Sequence, residues 1–169
     1  MIFTSSYKNF NTFLYRTYSI SGNKGKDASY NGPYYKDLSP KKTFWEVWHR
    51  NIGVIPKEEN DKYYIEEYYK QVLIKLDPRQ IYAQLNGSVL LCYEDANEFC
   101  HRHIVAEWLN ICLGIEVKEI KLNSKGYGID CLERPKYIRA CLLEVMKNTK
   151  DIKEVDCLYD SNKVLKKNM

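Results

Sequence analysis

The chain has no cysteine before Cys92, only three histidines, and nothing approaching a long apolar run. Each scarcity removes a class of protein. A bilayer-spanning helix needs about 18 or more consecutive apolar residues. Residues Met1-Ile2-Phe3-Thr4 also show no basic region leading into an apolar stretch, so the reading is a cytoplasmic protein with no membrane partner. The six cysteines, Cys92, Cys100, Cys112, Cys131, Cys141 and Cys157, lack the dense spacing of a secreted disulfide scaffold and are read as reduced thiols, several of them buried. As metal ligands, Cys92, Cys100, His101 and His103 supply suitable atoms but lack the short paired spacing of structural zinc sites, so no metal site is expected. A phosphatase-type loop would carry an arginine six positions after its cysteine; after Cys92 that position holds Glu98. Charge of one sign is missing as well. Twenty-six basic residues against 22 acidic ones give a net charge of +4, too mild for a dedicated nucleic-acid coat.

What is abundant is tyrosine, with 15 residues, in a chain that is 44% hydrophobic and 28% charged. Such a composition supports a folded core, and tyrosine can fill core edges, line a pocket or stack on a base. The length suits one domain, expected over residues 1–148. Residues 149–169 are mostly charged around Val155, Cys157, Leu158 and Tyr159, and are expected to form a tail or a docked edge element.

Short strands are expected over Met1 to Ser5 and Arg16 to Ser21, where β-branched and aromatic residues are bounded by turn formers. Ser88 to Tyr93 is a continuous apolar strand of the kind buried on both faces of a parallel sheet, and Glu116 to Leu122 forms a further one. Helices are expected from Thr43 to near Gly53, from Asn60 or Asp61 to Leu76, from Pro78 to Leu85, from Asn97 to Leu113, and from Pro135 to Asn148. Their apolar residues recur at offsets of three and four, and Asp77-Pro78, Asn86-Gly87 and Gly114 supply stops. Strands alternating with helices predict an α/β fold with a mostly parallel sheet and helices on both faces.

Such a sheet gathers strand carboxyl ends on one rim. Thr4, Ser5 and Ser6, Ser19 and Ser21, Cys92 and Glu94, and the loop after Leu122 would meet there. The helix after Cys92 opens on Cys100, His101 and Arg102. Backbone N–H groups at a helix start attract anions, and an arginine there adds a bidentate fork, so Arg102 is the expected seat of a phosphate or carboxylate. A salt bridge to Glu94 or Glu98 is the alternative. Glu94 is the expected acid or base, or a grip on a ribose hydroxyl. Cys100 gains nucleophilicity from a helix start and a cationic neighbour, although His101, a helical residue away, would point about 100° aside. The connection from Gly22 to Lys42 carries Lys24, Lys26, Lys36, Lys41 and Lys42 with Tyr30, Tyr34 and Tyr35, a combination able to contact nucleic acid.

Leu90-Leu91-Cys92-Tyr93-Glu94 with Phe99-Cys100-His101-Arg102, followed by Ile104-Val105-Ala106-Glu107-Trp108-Leu109, resembles the signature of the domain-of-unknown-function 488 family. Tyr18-Ser19-Ile20-Ser21, Gly32-Pro33 and Leu38-Ser39-Pro40 are similar to landmarks of one branch of it. The resemblance implies a Rossmann-like three-layer sandwich with Cys92, Glu94, Cys100, His101 and Arg102 around the strand-to-helix crossing. It implies no settled activity, and the cofactor is left unknown.

Together these features predict an enzyme or binding protein for a nucleotide or other phosphorylated small molecule. Glu94, His101 and Cys100 would be its catalytic groups; Arg102, Thr4, Ser5, Ser6, Ser19, Ser21 and Cys92 would hold the ligand. The alternative is a non-catalytic nucleic-acid-binding or interaction module that uses residues 22–42.

Overall fold

The computed structural model describes residues 1–10, 14–22, 30–125 and 128–149. The first three strands are β1 (Phe3–Ser6), β2 (Arg16–Ser19) and β3 (Ser88–Cys92), followed by β4 (Lys118–Leu122) and β5 (Ile129–Leu132). They form one sheet in the order β2-β3-β1-β4-β5. The β2/β3, β3/β1 and β1/β4 pairs are parallel and the β4/β5 pair antiparallel. The fold is therefore α/β with a mostly parallel sheet. Strand β5 was not anticipated: its residues are largely exposed, so it lacks the apolar alternation that marks a strand in sequence.

The helices are α1 (Lys42–Asn51), α2 (Lys57–Gln71), α3 (Pro78–Leu85), α4 (His101–Leu113) and α5 (Tyr137–Asn148). Asp77 caps α3 as its position before Pro78 demands, accepting from the Arg79 N–H at 2.8 Å. Gly114 ends α4 in the left-handed region at φ 66°, where a Cβ would be strained. Two starts differ from expectation. Helix α2 begins at Lys57, so Asn60 and Asp61 lie inside it and are buried; Asn60 donates to the Trp48 carbonyl, and Asp61 accepts from the Trp48 indole. Helix α4 begins at His101 rather than near Asn97.

Side-chain alternation divides the core. Leu90 belongs to the larger apolar cluster, with Phe44, Tyr64, Tyr68, Leu85, Val105, Leu109 and Leu142 from the five helices. Val89 and Leu91 face the opposite side, in a smaller cluster with Tyr7, Phe10 and Ile120, flanked by Phe3, Tyr30 and Leu122. Among the described residues, no helical side chain belongs to this second cluster, which corrects the expectation of helices on both faces. The reason lies in the connection from β1 to β2. It spans only residues 7–15, too few for a helical crossover, and Tyr7 and Phe10 cover the sheet instead. The expected tail at 150–169 lies outside the described residues.

Candidate functional site

Strand β3 delivers Cys92 to the face that meets α4, and the loop from Tyr93 to Phe99 returns the chain to the start of that helix. Cys100 is the residue preceding the helix, with extended dihedrals of φ −152° and ψ 145°. The 100° rotation between helical neighbours therefore does not separate it from His101. The Cys92 Sγ stands 3.7 Å and the Cys100 Sγ 3.9 Å from Nδ1 of His101. All three ligand-capable atoms lie within 4.8 Å of one another, and all three residues are buried.

The imidazole is fixed from its other side. Nε2 of His101 lies 2.8 Å from the Ile20 carbonyl oxygen, which can only accept, so Nε2 carries a proton and donates it. Nδ1 is then the atom that serves the two sulfurs. Tyr68 packs edge-on against the ring, with centroids 5.6 Å apart. Glu94, half-buried, accepts from the Cys92 thiol at 3.4 Å.

Electrostatics couple these groups. Burial disfavours a Cys100 thiolate, yet the Cys92 hydrogen bond and the charges of Arg102 and His101 outweigh it and hold the thiol well below its ordinary value. Burial, reinforced by Cys100, drives Cys92 the other way. Burial and the neighbouring Cys100 push Glu94 up to about 7. Burial favours neutral His101, but the charge on Cys100, with Glu94 behind it, raises its basicity.

These side chains form one wall of a cavity of about 370 Å³. Trp45, Trp48, Tyr64, Tyr93 and Phe99 supply rings around it, and Ser21, Gly22, Pro40 and Lys42 complete the lining. Trp48 packs against Tyr64 and Phe99 at centroid distances of 5.3 and 5.6 Å. Helices α1 and α4 both begin at the cavity, and neither has an acidic residue in its first turn or a side chain capping it.

Of the residues expected at the rim, Ser21, Cys92, Glu94, Cys100 and His101 line this cavity. The others lie elsewhere. Arg102 is fully buried and turned onto Glu119 of β4, a partner 17 residues away that local sequence does not suggest. Its expected role as an anion seat is corrected, because a protein carboxylate already occupies its fork. Thr4 donates to the same carboxylate at 2.7 Å. Ser5 donates to the Ile120 carbonyl at 2.5 Å, and the Ser6 hydroxyl accepts from the Asn9 N–H at 3.2 Å. Ser19 pairs with Leu91, on the sheet face away from α4, and its hydroxyl lies 2.5 Å from that of Tyr7. These polar groups satisfy buried structure rather than present themselves to a ligand. The loop after Leu122 is the turn of the β4/β5 hairpin, where the Asn123 N–H donates to the Gly128 carbonyl. Sequence reasoning missed the aromatic wall, since Trp45 and Trp48 read as core residues of an amphipathic helix; Trp45 is in fact 39% exposed.

The connection 22–42 lies partly outside the described residues, at 23–29. Its described part is docked: Tyr30 packs on Tyr7 at 5.2 Å, Tyr35 donates to Gln84, and Leu38 is buried. Among the described residues, no helix is long and apolar enough to cross a membrane.

Comparison with known proteins adds one family. A family model described as the active DUF488-N3 subclade matches residues 13–111, a span that includes β2, the aromatic wall, Cys92, Glu94, Cys100 and His101. No curated protein and no solved structure matches the chain.

Proposed function

The chain belongs to the DUF488 family, and from that premise we propose that it is an enzyme acting on a nucleotide or a similar phosphorylated, ring-bearing small molecule in the cavity at the carboxyl rim of the sheet. The observation that carries this reading is the convergence of two uncapped helix starts, Lys42 and an aromatic wall on a cavity whose polar edge holds Glu94, Cys92, Cys100 and His101. Backbone N–H groups at helix starts favour anions, and Lys42 adds a positive charge at the mouth. Indole and phenol rings offer stacking surfaces to a base. The phosphate and the ring thereby bind at different parts of the same cavity, which holds the remaining part of the substrate against Glu94. That carboxyl group is placed to move a proton to or from the reacting centre, and His101, tied to Ile20, orients its neighbours. The cavity lies beyond the carboxyl ends of β2 and β3, where sheets of parallel strands commonly hold ligands. The matching subclade is described as active.

Tryptophan fluorescence titrations with nucleoside monophosphates, nucleosides and sugar phosphates test the reading, since Trp45 and Trp48 line the cavity. Saturable quenching by a phosphorylated ligand, retained in Glu94→Gln while turnover of that ligand is lost, is the expected result. Binding of none of these compounds to the folded protein would overturn it.

A further inference from the structure

Two sulfurs and a ring nitrogen meet at the wall of the cavity, close enough together for one metal ion to be held between them. Zinc bonds of about 2.3 Å to sulfur and about 2.0 Å to nitrogen place sulfur and nitrogen ligands about 3.5 Å apart, and two sulfurs about 3.8 Å apart. The sulfur-to-nitrogen distances here are 3.7 and 3.9 Å, and the whole set fits within 4.8 Å. The sulfur-to-nitrogen pairs need to close by only a few tenths of an ångström, and the two sulfurs by at most about 1 Å, to take a metal ion.

We propose that Cys92, Cys100 and His101 bind one zinc ion, with a fourth coordination position open to the cavity. The claim rests on the reading of this cavity as the substrate site, and names the cofactor that would serve it.

Three independent features support it. The first is His101: a metal-bound imidazole characteristically donates its remote N–H to a carboxylate or a backbone carbonyl, which fixes the ring and the tautomer. Its Nε2 is held by the Ile20 carbonyl at 2.8 Å, leaving Nδ1 for the metal. The second is ligand type. Two cysteines and a histidine favour zinc over magnesium or calcium, which prefer oxygen. The third is the incomplete protein set. Three protein ligands beside an open cavity describe a catalytic rather than a structural zinc site, the fourth place going to water or substrate. All three ligands border the cavity. Glu94 lies 3.4 Å from the Cys92 Sγ and lines the same cavity, from which a carboxylate could take a proton from a metal-bound water. Binding replaces the two thiol protons, so two thiolates balance the charge of the ion.

The ligand spacing argued against a metal site in the sequence. Cys92 ends β3 and Cys100 precedes α4, so the pair is joined by a loop across the rim rather than by the short turn of a zinc knuckle.

The test is elemental analysis of the full chain purified without chelators, beside Cys92→Ser, Cys100→Ser and Glu94→Gln. About one zinc per chain is expected for the wild type and for Glu94→Gln, which leaves the three ligands intact. At least a roughly tenfold loss is expected in either cysteine variant. Cobalt added to chelator-stripped wild type should produce thiolate-to-cobalt absorption in the near ultraviolet. This measurement uses the unaltered chain and holds even where a serine variant fails to fold. Stripped wild type that takes up neither zinc nor cobalt, while both thiols react freely with a disulfide reagent, would overturn the proposal and leave Cys100 as a free nucleophile. Nucleotide titration of the same samples separates the two claims: ligand binding by a protein that refuses zinc sinks the metal alone, and zinc uptake by a protein that binds no phosphorylated compound sinks the substrate reading alone.

Discussion

Arg102 and Glu119 form a fully sequestered ion pair between α4 and β4, with the Nη2-to-Oε1 distance at 3.0 Å and both Nε contacts within 3.3 Å. Thr4 completes the carboxylate's hydrogen bonds from β1, and His103 Nε2 stands 3.4 Å from it. Among the described residues the guanidinium Nη1 finds no hydrogen-bond partner. One carboxylate thus ties two adjacent strands to the helix that carries Cys100 and His101.

Removing either partner strands a buried charge. Arg102→Ala and Glu119→Ala should each destabilise the fold by about 3–5 kcal/mol, read as a lower midpoint in urea. Replacing both by apolar residues of similar volume should recover much of that loss. A single variant indistinguishable from wild type would remove the pair from the account of this fold.

The same carboxylate should contribute to stability in acid. Burial opposes the charge on Glu119, but the His103 ring and Arg102 outweigh it and hold the group below its ordinary value. With the folded value depressed, its contribution is fully present above the unfolded value of about 4.3 and is lost as pH falls through the folded one. Thermal midpoints should therefore drop on acidification below about pH 4. Glu119→Gln should start lower and lose less on acidification. An acid slope as steep in that variant as in the wild type would assign the effect to other carboxylates.

Lys42 is exposed at the mouth of the cavity and pairs with Glu46, at 3.4 Å, through an exposed i,i+4 bridge. Lys42→Ala should leave stability within about 0.5 kcal/mol of wild type. Affinity for a phosphorylated ligand should fall by about fivefold, corresponding to roughly 1 kcal/mol, and affinity for the parent nucleoside should be unchanged. Equal losses for both ligands would place the phosphate away from α1.

Trp45 presents a ring to the cavity and stacks on His49 at 4.8 Å. Trp45→Ala should weaken a ring-bearing ligand by about 1–3 kcal/mol and leave a sugar phosphate with no base nearly unaffected. Isothermal calorimetry with the two ligands measures the difference.

Much of this was written locally. Leu90 and Leu91 could hardly be anything but a buried strand, Asp77-Pro78 forces a helix start, and Gly114 a helix end. The pairing of Cys92 and Glu94 with Cys100 and His101 across a strand-to-helix crossing was likewise legible, because the two elements adjoin in sequence. The hydroxyls of Thr4, Ser5, Ser6 and Ser19 were misleading. They stand at strand ends, but which face each occupies, and whether a buried carbonyl or carboxylate claims it, depends on neighbouring strands.

The sequence by itself determined the α/β class, the strand that ends at Cys92, and the cluster of reactive side chains beyond it, since periodicity and turn chemistry act over a few residues. Only the tertiary structure decided that Arg102 turns inward to Glu119, that Trp45 and Trp48 wall a cavity, and that two sulfurs and Nδ1 of His101 share one small volume. Those outcomes depend on the order β2-β3-β1-β4-β5 and on how α1, α2 and α4 pack. Contacts between residues far apart in the chain are settled by the competition of every buried group for space and partners, and no local pattern encodes the result.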